Sequence, residues 1–198
     1  MTVDIHFSDA ELIGQSQTDP ELFTAIFDRH CGEILRYVHA RLGPDLAEDV
    51  TSETFLAAFG ARGRFDPEAV SARPWLYGIA VRQIGKHRRA EGRRIRLLRL
   101  APRDLPTEDF GDRAAERVTA GQLGPRLAAV LARLPGKDRE LLLLIAWAEL
   151  SYDEAATALG TTVSAVKARL HRVRVRIRRE LGGANPMQAN TEGDSSDG

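Results

Sequence analysis

Residues 151–179, SYDEAATALGTTVSAVKARLHRVRVRIRR, allow few folds: they read as two short helices joined by a tight turn. Ser151 followed three residues later by Glu154 is a capping box, and it opens a helix carrying Ala155, Ala156 and Leu159 on its apolar side. Gly160 stands where a helix of this length ends, and Thr162 is placed to cap the next one. Val163, Val166, Leu170, Val173 and Ile177 then recur at three- and four-residue spacing, which marks one buried stripe. Lys167, Arg169, His171, Arg172, Arg174, Arg176, Arg178 and Arg179 fill the remaining faces. A helix so built packs by one side and offers cations to phosphates and base edges by the other. The plainer alternative is a solvated basic helix, or one that pairs with an acidic protein. The capped helix before it, the tight turn and the scarcity of acids favour the helix-turn-helix.

Whole-chain charge hides this feature. Lys+Arg 28 balance Asp+Glu 28, so bulk charge selects no partner. Its distribution does. Residues 82–99 carry eight Lys or Arg and one acid, residues 161–180 carry seven and one, and the rest of the chain is net acidic. Two basic patches far apart in sequence suggest two contact points on one long polyanion. No run approaches the roughly 18 apolar residues of a membrane span, and MTVDIHFSDAEL lacks the pattern of a signal peptide. A lone cysteine, Cys31, excludes an internal disulfide and a Cys-rich zinc site. These features set the expectation of a cytoplasmic protein without membrane insertion. His30 and Cys31 are adjacent and cannot both face one metal from a regular helix. No Walker A loop, Gly-x-Ser-x-Gly elbow or HExxH is present. Hence no catalytic residue, metal site or cofactor is expected, and the chain is not read as an enzyme.

The remaining pattern is helical throughout, with no run of strand alternation. Ser8 with Glu11 caps a short first helix, and Asp19-Pro20-Glu21 starts a long one running to about Leu42. Gly43-Pro44 breaks it; a second long helix covers Asp45 to about Ala61, with Leu46, Val50, Phe55, Leu56 and Phe59 at its apolar positions. A loop follows, then a helix from Pro74 to about Arg89. Residues 101–117 hold two prolines, a glycine and five acids, the composition of a linker. Two further helices, 123–134 and 137–148, precede the helix-turn-helix. The expected architecture is all-α: two small helical domains, residues 8–97 and 120–181, an acidic flexible linker over 98–119, and a polar tail over 182–198 expected to be disordered. Within the second long helix, Asp45, Asp49 and Glu53 recur at four-residue spacing beside Glu48. Like charges so placed cost a few tenths of a kcal/mol per pair. Either a capping box of Asp45 with Glu48 and the helix dipole offset that cost, or the stripe is a docking face for a basic partner.

Four segments in this order, ELFTAIFDRHCGEILRYVHARLG, DLAEDVTSETFLAAFGA, PWLYGIAVRQIGKHRRAEGRR and LARLPGKDRELLLLIAWAELSYDEAATALGTTVSAVKARLHRVRVRIRREL, resemble the extracytoplasmic-function (ECF) sigma factors of bacterial RNA polymerase. The resemblance covers most of residues 10–181. It implies that the chain binds core RNA polymerase, through the β′ coiled-coil and the β flap, and directs promoter-specific initiation. Asp45, Glu48, Asp49, Glu53 and Phe55 then correspond to the polymerase-docking surface. Trp75, Tyr77, Arg82, Gln83, Lys86, His87, Arg88 and Arg89 correspond to the −10 surface, with the loop 64–73 as the pocket for a flipped base; for Trp75 the residue pattern favours ordinary core over that role. Tyr152, Lys167, Ala168, Arg169, His171 and Arg172 correspond to the −35 surface. Arg172 is the residue chosen to read guanine, because a guanidinium donates two bonds to O6 and N7. Lys167, Arg169 and Tyr152 are assigned to phosphates, and Ala168 at most to a thymine methyl. An anti-sigma partner is expected by family habit. The competing reading is a helix-turn-helix regulator that binds DNA without polymerase; the acidic stripe and PWLYGIA fit it poorly.

Overall fold

The computed structural model describes residues 7–100 and 125–181, with side chains described over 7–97 and 129–181. Most of the expected linker and the whole of the expected tail lie outside the described residues. Among the described residues there are eight α-helices and two 3-10 turns, and no strand. The helices are α1 (Asp9–Gln15), α2 (Phe23–Leu42), α3 (Pro44–Ala61), α4 (Arg73–Leu100), α5 (Pro125–Ala132), α6 (Gly136–Ala146), α7 (Tyr152–Leu159) and α8 (Val163–Glu180).

Local chemistry sets most boundaries. The Ser8 hydroxyl accepts from Glu11 N at 3.2 Å while Glu11 Oε2 accepts from Ser8 N at 2.8 Å, closing the expected box at α1. Asp19 caps a 3-10 turn, Pro20–Leu22, so α2 starts at Phe23, later than the proline suggests. Gly43, at φ 84°, turns the chain between α2 and α3 in a conformation that favours glycine. Pro44 takes the first helical position of α3, which puts Asp45 inside the helix. The proposed Asp45–Glu48 box is therefore not formed; the acids still suit the positive end of the helix dipole.

Two elements differ from expectation in extent. Helix α4 does not stop near Arg89 but continues to Leu100. The stretch has no proline before position 102, and Glu91 pairs with Arg94 at 3.1 Å along it. Leu46 and Leu56, expected as core positions of α3, are instead exposed.

Helices α2, α3 and α4 pack together around Ile26, Ile34, Val38, Val50, Ala58, Leu76 and Ile84. That core does not end with the first helical group. It continues through Leu141, Leu144, Ala155, Ala156, Ala158, Val166 and Leu170, so the helix-turn-helix packs directly on α4. A smaller cluster of Leu131, Leu134 and Val173 joins α5 to α8. The Arg139 guanidinium is buried there and donates to the carbonyls of Leu131, at 2.9 Å, and Ala132, satisfying the end of α5.

Candidate nucleic-acid interface

The helix-turn-helix is assembled by its own caps. Ser151 N donates to Glu154 Oε2 at 2.7 Å and Glu154 N donates to the Ser151 hydroxyl at 3.1 Å. Gly160 adopts the left-handed conformation at φ 59°, and Thr161 N reaches back to the Ala156 carbonyl at 2.9 Å. Thr162 then caps α8, accepting from Ala165 N at 3.2 Å. With Val166, Leu170 and Val173 buried, Lys167, Ala168, His171 and Arg172 are left exposed on α8. Arg169 is half-buried and lies 3.5 Å from Asp138 of α6, an acid that holds its guanidinium against the body of the domain. Tyr152 accepts a long hydrogen bond, 3.4 Å, from Arg174, which links the first and second helices of the motif. Arg176 is anchored by Glu180 at 3.0 Å and by the Arg133 carbonyl at 3.3 Å. The cations of α8 are thus of two kinds: those tied into the fold, and those at the exposed face.

The same division holds on α4. Arg82, Lys86 and Arg89 are exposed and fall at i, i+4 and i+7, one basic stripe. The other candidates are engaged elsewhere. Tyr77 is only 2% exposed, set edge-on to Tyr37 with centroids 5.1 Å apart. Its phenol lies 3.4 Å from Glu33 Oε2, and burial followed by that carboxylate pushes its pKa up to about 12. Gln83 is 7% exposed. His87 pairs with Glu53 of α3 at 2.9 Å, and Arg88 donates to the Arg41 carbonyl at 2.9 Å. Trp75 is half-buried and packs edge-on against Phe65 at 5.0 Å, so the loop before α4 is fastened to its first turn. Of these candidates, Arg82, Lys86 and Arg89 are exposed, while Trp75, His87 and Arg88 are half-buried.

On α3, Asp45, Glu48, Asp49 and Glu53 are exposed, whereas Phe55 is 5% exposed and stacks edge-on with Phe27 at 4.9 Å. Phe55 is core. Leu56, expected in the core, is 72% exposed and shares the face of Asp45 and Asp49, seven residues beyond Asp49. Leu46, also exposed, borders the same face. Stepping the angles around a 3.6-residue helix finds Leu56 amid the acids, whereas its apolar character alone sends it to the core. Among the described residues, no group of three or more His, Cys, Asp or Glu side chains could hold a metal.

The family model described as "Sigma-70 region 2" matches residues 26–94, and "Sigma-70, region 4" matches residues 125–177. The ECF RNA polymerase sigma factor SigD of Mycobacterium tuberculosis is 31% identical over 162 residues, covering 76% of this chain and 73% of that protein. The RNA polymerase sigma factor NccH of Alcaligenes xylosoxydans is 30% identical over 167 residues, covering 82% of this chain and 88% of that protein. Among solved structures, CnrH in complex with the cytosolic domain of CnrY matches with a TM-score of 0.60 and 26% identity, over 89% of this chain and 99% of that one. The fold of the sigma factor RpoE, solved with the anti-sigma factor NepR from Bartonella quintana, matches with a TM-score of 0.60 at 19% identity, over 82% of this chain and 98% of that one. No helix among the described residues is long and apolar enough to cross a membrane. With both sigma-70 regions present in order and relatives alike over most of their length, the chain belongs to the extracytoplasmic-function group of the sigma-70 family.

Proposed function

We propose that this sigma factor docks on core RNA polymerase through the α3 face of Asp45, Glu48, Asp49, Glu53 and Leu56. In this reading the exposed stripe of Arg82, Lys86 and Arg89 meets the −10 region, and Lys167, Ala168, His171 and Arg172 meet the −35 element. The observation that carries it is the pairing of two basic helical faces with one acidic face that runs along α3 to an exposed leucine. An acidic face that ends in an exposed apolar side chain fits a basic protein helix, whereas cationic faces fit the phosphate backbone. The division of labour follows two domains, residues 8–97 and 120–181, joined by the polar segment between them.

Each residue has a chemical task. Arg172 donates two parallel hydrogen bonds to a guanine edge, and Lys167 and Arg169 contact phosphate, with Asp138 fixing the direction of Arg169. Trp75 and Phe65 form an aromatic step beside the loop, on which an unstacked base can lie at a cost of a few kcal/mol, offset by polymerase contacts. The polymerase carries out the nucleotidyl transfer; this chain supplies recognition and no catalysis of its own. A protein inhibitor, and action in the cytoplasm, are inferred from the relatives; CnrH was solved with the cytosolic domain of CnrY bound.

Run-off transcription with purified core polymerase on genomic fragments tests the proposal. Discrete new transcripts that vanish when Asp49 and Glu53 are both changed to lysine support it. Binding to duplex DNA with no initiation by core enzyme would overturn it in favour of a stand-alone regulator.

A further inference from the structure

We infer that α1 is a brace for the loop between α3 and α4, and that Asp9 is a positioning residue for the promoter strand this loop receives. That the loop receives promoter DNA rests on the function proposed above; that α1 braces it rests on contacts alone. Helix α1 grips the loop at both ends. At its start, the carboxylate of Asp9 accepts from the Ser71 hydroxyl at 3.2 Å and from Ala72 N at 2.8 Å. At its close, the Ser16 carbonyl accepts from Arg62 Nε at 3.2 Å. Arg62 is held in that pose by Phe59, donating to its carbonyl at 2.7 Å and lying over its ring at 3.9 Å from the centroid.

The spacing of the two grips shapes the loop. Asp9 and Ser16 stand at opposite ends of α1, roughly 10 Å apart along a helix of this length. The chain from Arg62 to Ser71 could reach about 30 Å if extended. Clasping both its ends to α1 therefore bows the intervening residues outward. Within the bow Asp66 makes a turn, its Oδ1 accepting from Glu68 N at 3.0 Å and its carbonyl from Ala69 N at 3.1 Å. Phe65 is set against Trp75, while Asp66, Pro67, Glu68 and Val70 are exposed, Val70 at 96%.

Two features distinguish a brace from ordinary packing. Helix α4 already has a local cap, since Arg73 N donates to the Ser71 hydroxyl at 3.1 Å. A carboxylate 62 residues away is not needed to begin that helix; it fixes where the end of the loop stands. The brace is itself anchored, with Leu12 and Ile13 buried and with Arg29 and His30 of α2 meeting Asp9 at 3.1 and 2.9 Å. The loop is thus tied through α1 to α2 and does not simply follow α4. The match to region 2 begins at residue 26 and so gives α1 no role. A loop that holds an unstacked base helps most when already in shape, because ordering it at that moment adds to the cost of unstacking.

The test uses the full chain with Asp9→Ala, Asp9→Asn and Arg62→Ala. Alanine at position 9 removes every bond to the loop, whereas asparagine keeps an acceptor for Ser71 and Ala72 N and discards the charge. Hydrogen exchange of the free protein, read by mass spectrometry, should be about tenfold or more faster over residues 66–72 in Asp9→Ala. Helices α2 and α3 should stay protected, and Asp9→Asn should resemble the parent. With core polymerase and a promoter recovered by run-off transcription, permanganate reactivity of −10 thymines reports opening, and transcription from single-base variants reports base preference. Asp9→Ala should lose both severalfold at unchanged core affinity, and Asp9→Asn should restore them. Unchanged exchange in the loop overturns the brace. A loosened loop with parental opening and preference overturns the positioning role. Core affinity lost in step with opening would assign Asp9 to the stability of the first domain and overturn that role too. Should Asp9→Ala fail to fold, Arg62→Ala, which cuts the other grip, decides by the same measurements. Exchange requires no polymerase, so a parent inactive in run-off transcription would count against the proposed function and leave the test of the brace unaffected.

Discussion

His30 shows how one side chain can fasten three elements. Its Nδ1 meets Glu33 at 2.8 Å and its Nε2 meets Asp9 at 2.9 Å, so both nitrogens face carboxylates and both donate only when the ring is protonated. Asp9 in turn accepts from Arg29 at 3.1 Å, from Ala72 N at 2.8 Å and from Ser71 at 3.2 Å, tying α1 and α2 to the start of α4. Burial lowers the pKa of the imidazole, but hydrogen bonds to Asp9 and Glu33 and their charges outweigh it and raise the value to about 9. The folded state therefore holds a proton that the unfolded chain releases above its ordinary value of 6.5. That stability is fully present below 6.5 and is lost as the pH rises through about 9. Urea unfolding should show a decline across that window, on the order of 1–2 kcal/mol once solvent screening is allowed for. His30→Gln should remove most of the slope; an unchanged slope would assign the decline to other groups. At the DNA face, Arg172→Ala should cost about 1–3 kcal/mol and relax preference at one −35 position. Competition binding on single-base variants checks this, and an equal loss on every sequence would make Arg172 a phosphate contact.

Helices divide into those whose faces the sequence announces and those whose faces it does not. In α8, Val166, Leu170 and Val173 are buried as their spacing predicts, and the caps at Ser8, Ser151, Gly160 and Thr162 are those read from the sequence. Each rests on interactions within four or five residues along the chain. In α3 the same logic fails at Phe55 and Leu56, adjacent apolar residues of which one is buried and the other exposed. Apolar character alone does not distinguish them; the helical angle sets Leu56 among the acids, and α2 brings Phe27 to Phe55. Leu56→Ala should leave stability within about 0.5 kcal/mol of the parent, as surface substitutions do. It should nevertheless weaken core polymerase binding severalfold in an equilibrium titration; unchanged affinity would remove Leu56 from the docking face.

For the molecule as a whole, neutrality in total and polarity in distribution make binding to duplex DNA a local matter with a measurable signature. The affinity of the full chain should fall linearly with salt on a log–log plot. Lys167→Ala should reduce the slope by about one, and do so equally on every sequence, if the lysine neutralises one phosphate. A salt-independent interaction would refute the phosphate role of this face.

By itself the sequence determined the all-α class, the helix-turn-helix with its caps and the segregation of cations into two windows, because helix periodicity and end signals are local. It placed the acids of α3 on one face for the same reason. Tertiary structure alone decided that Tyr77 and Gln83 are buried while Arg82, Lys86 and Arg89 are not. It decided that Glu53 would be shared with His87, and that Gly78 would lie against Ala158. The Tyr37–Glu140 bond joins residues 103 positions apart, across a separation at which no periodicity operates. Such contacts depend on how whole helices dock, and the spacing of residues along any one helix carries no record of it.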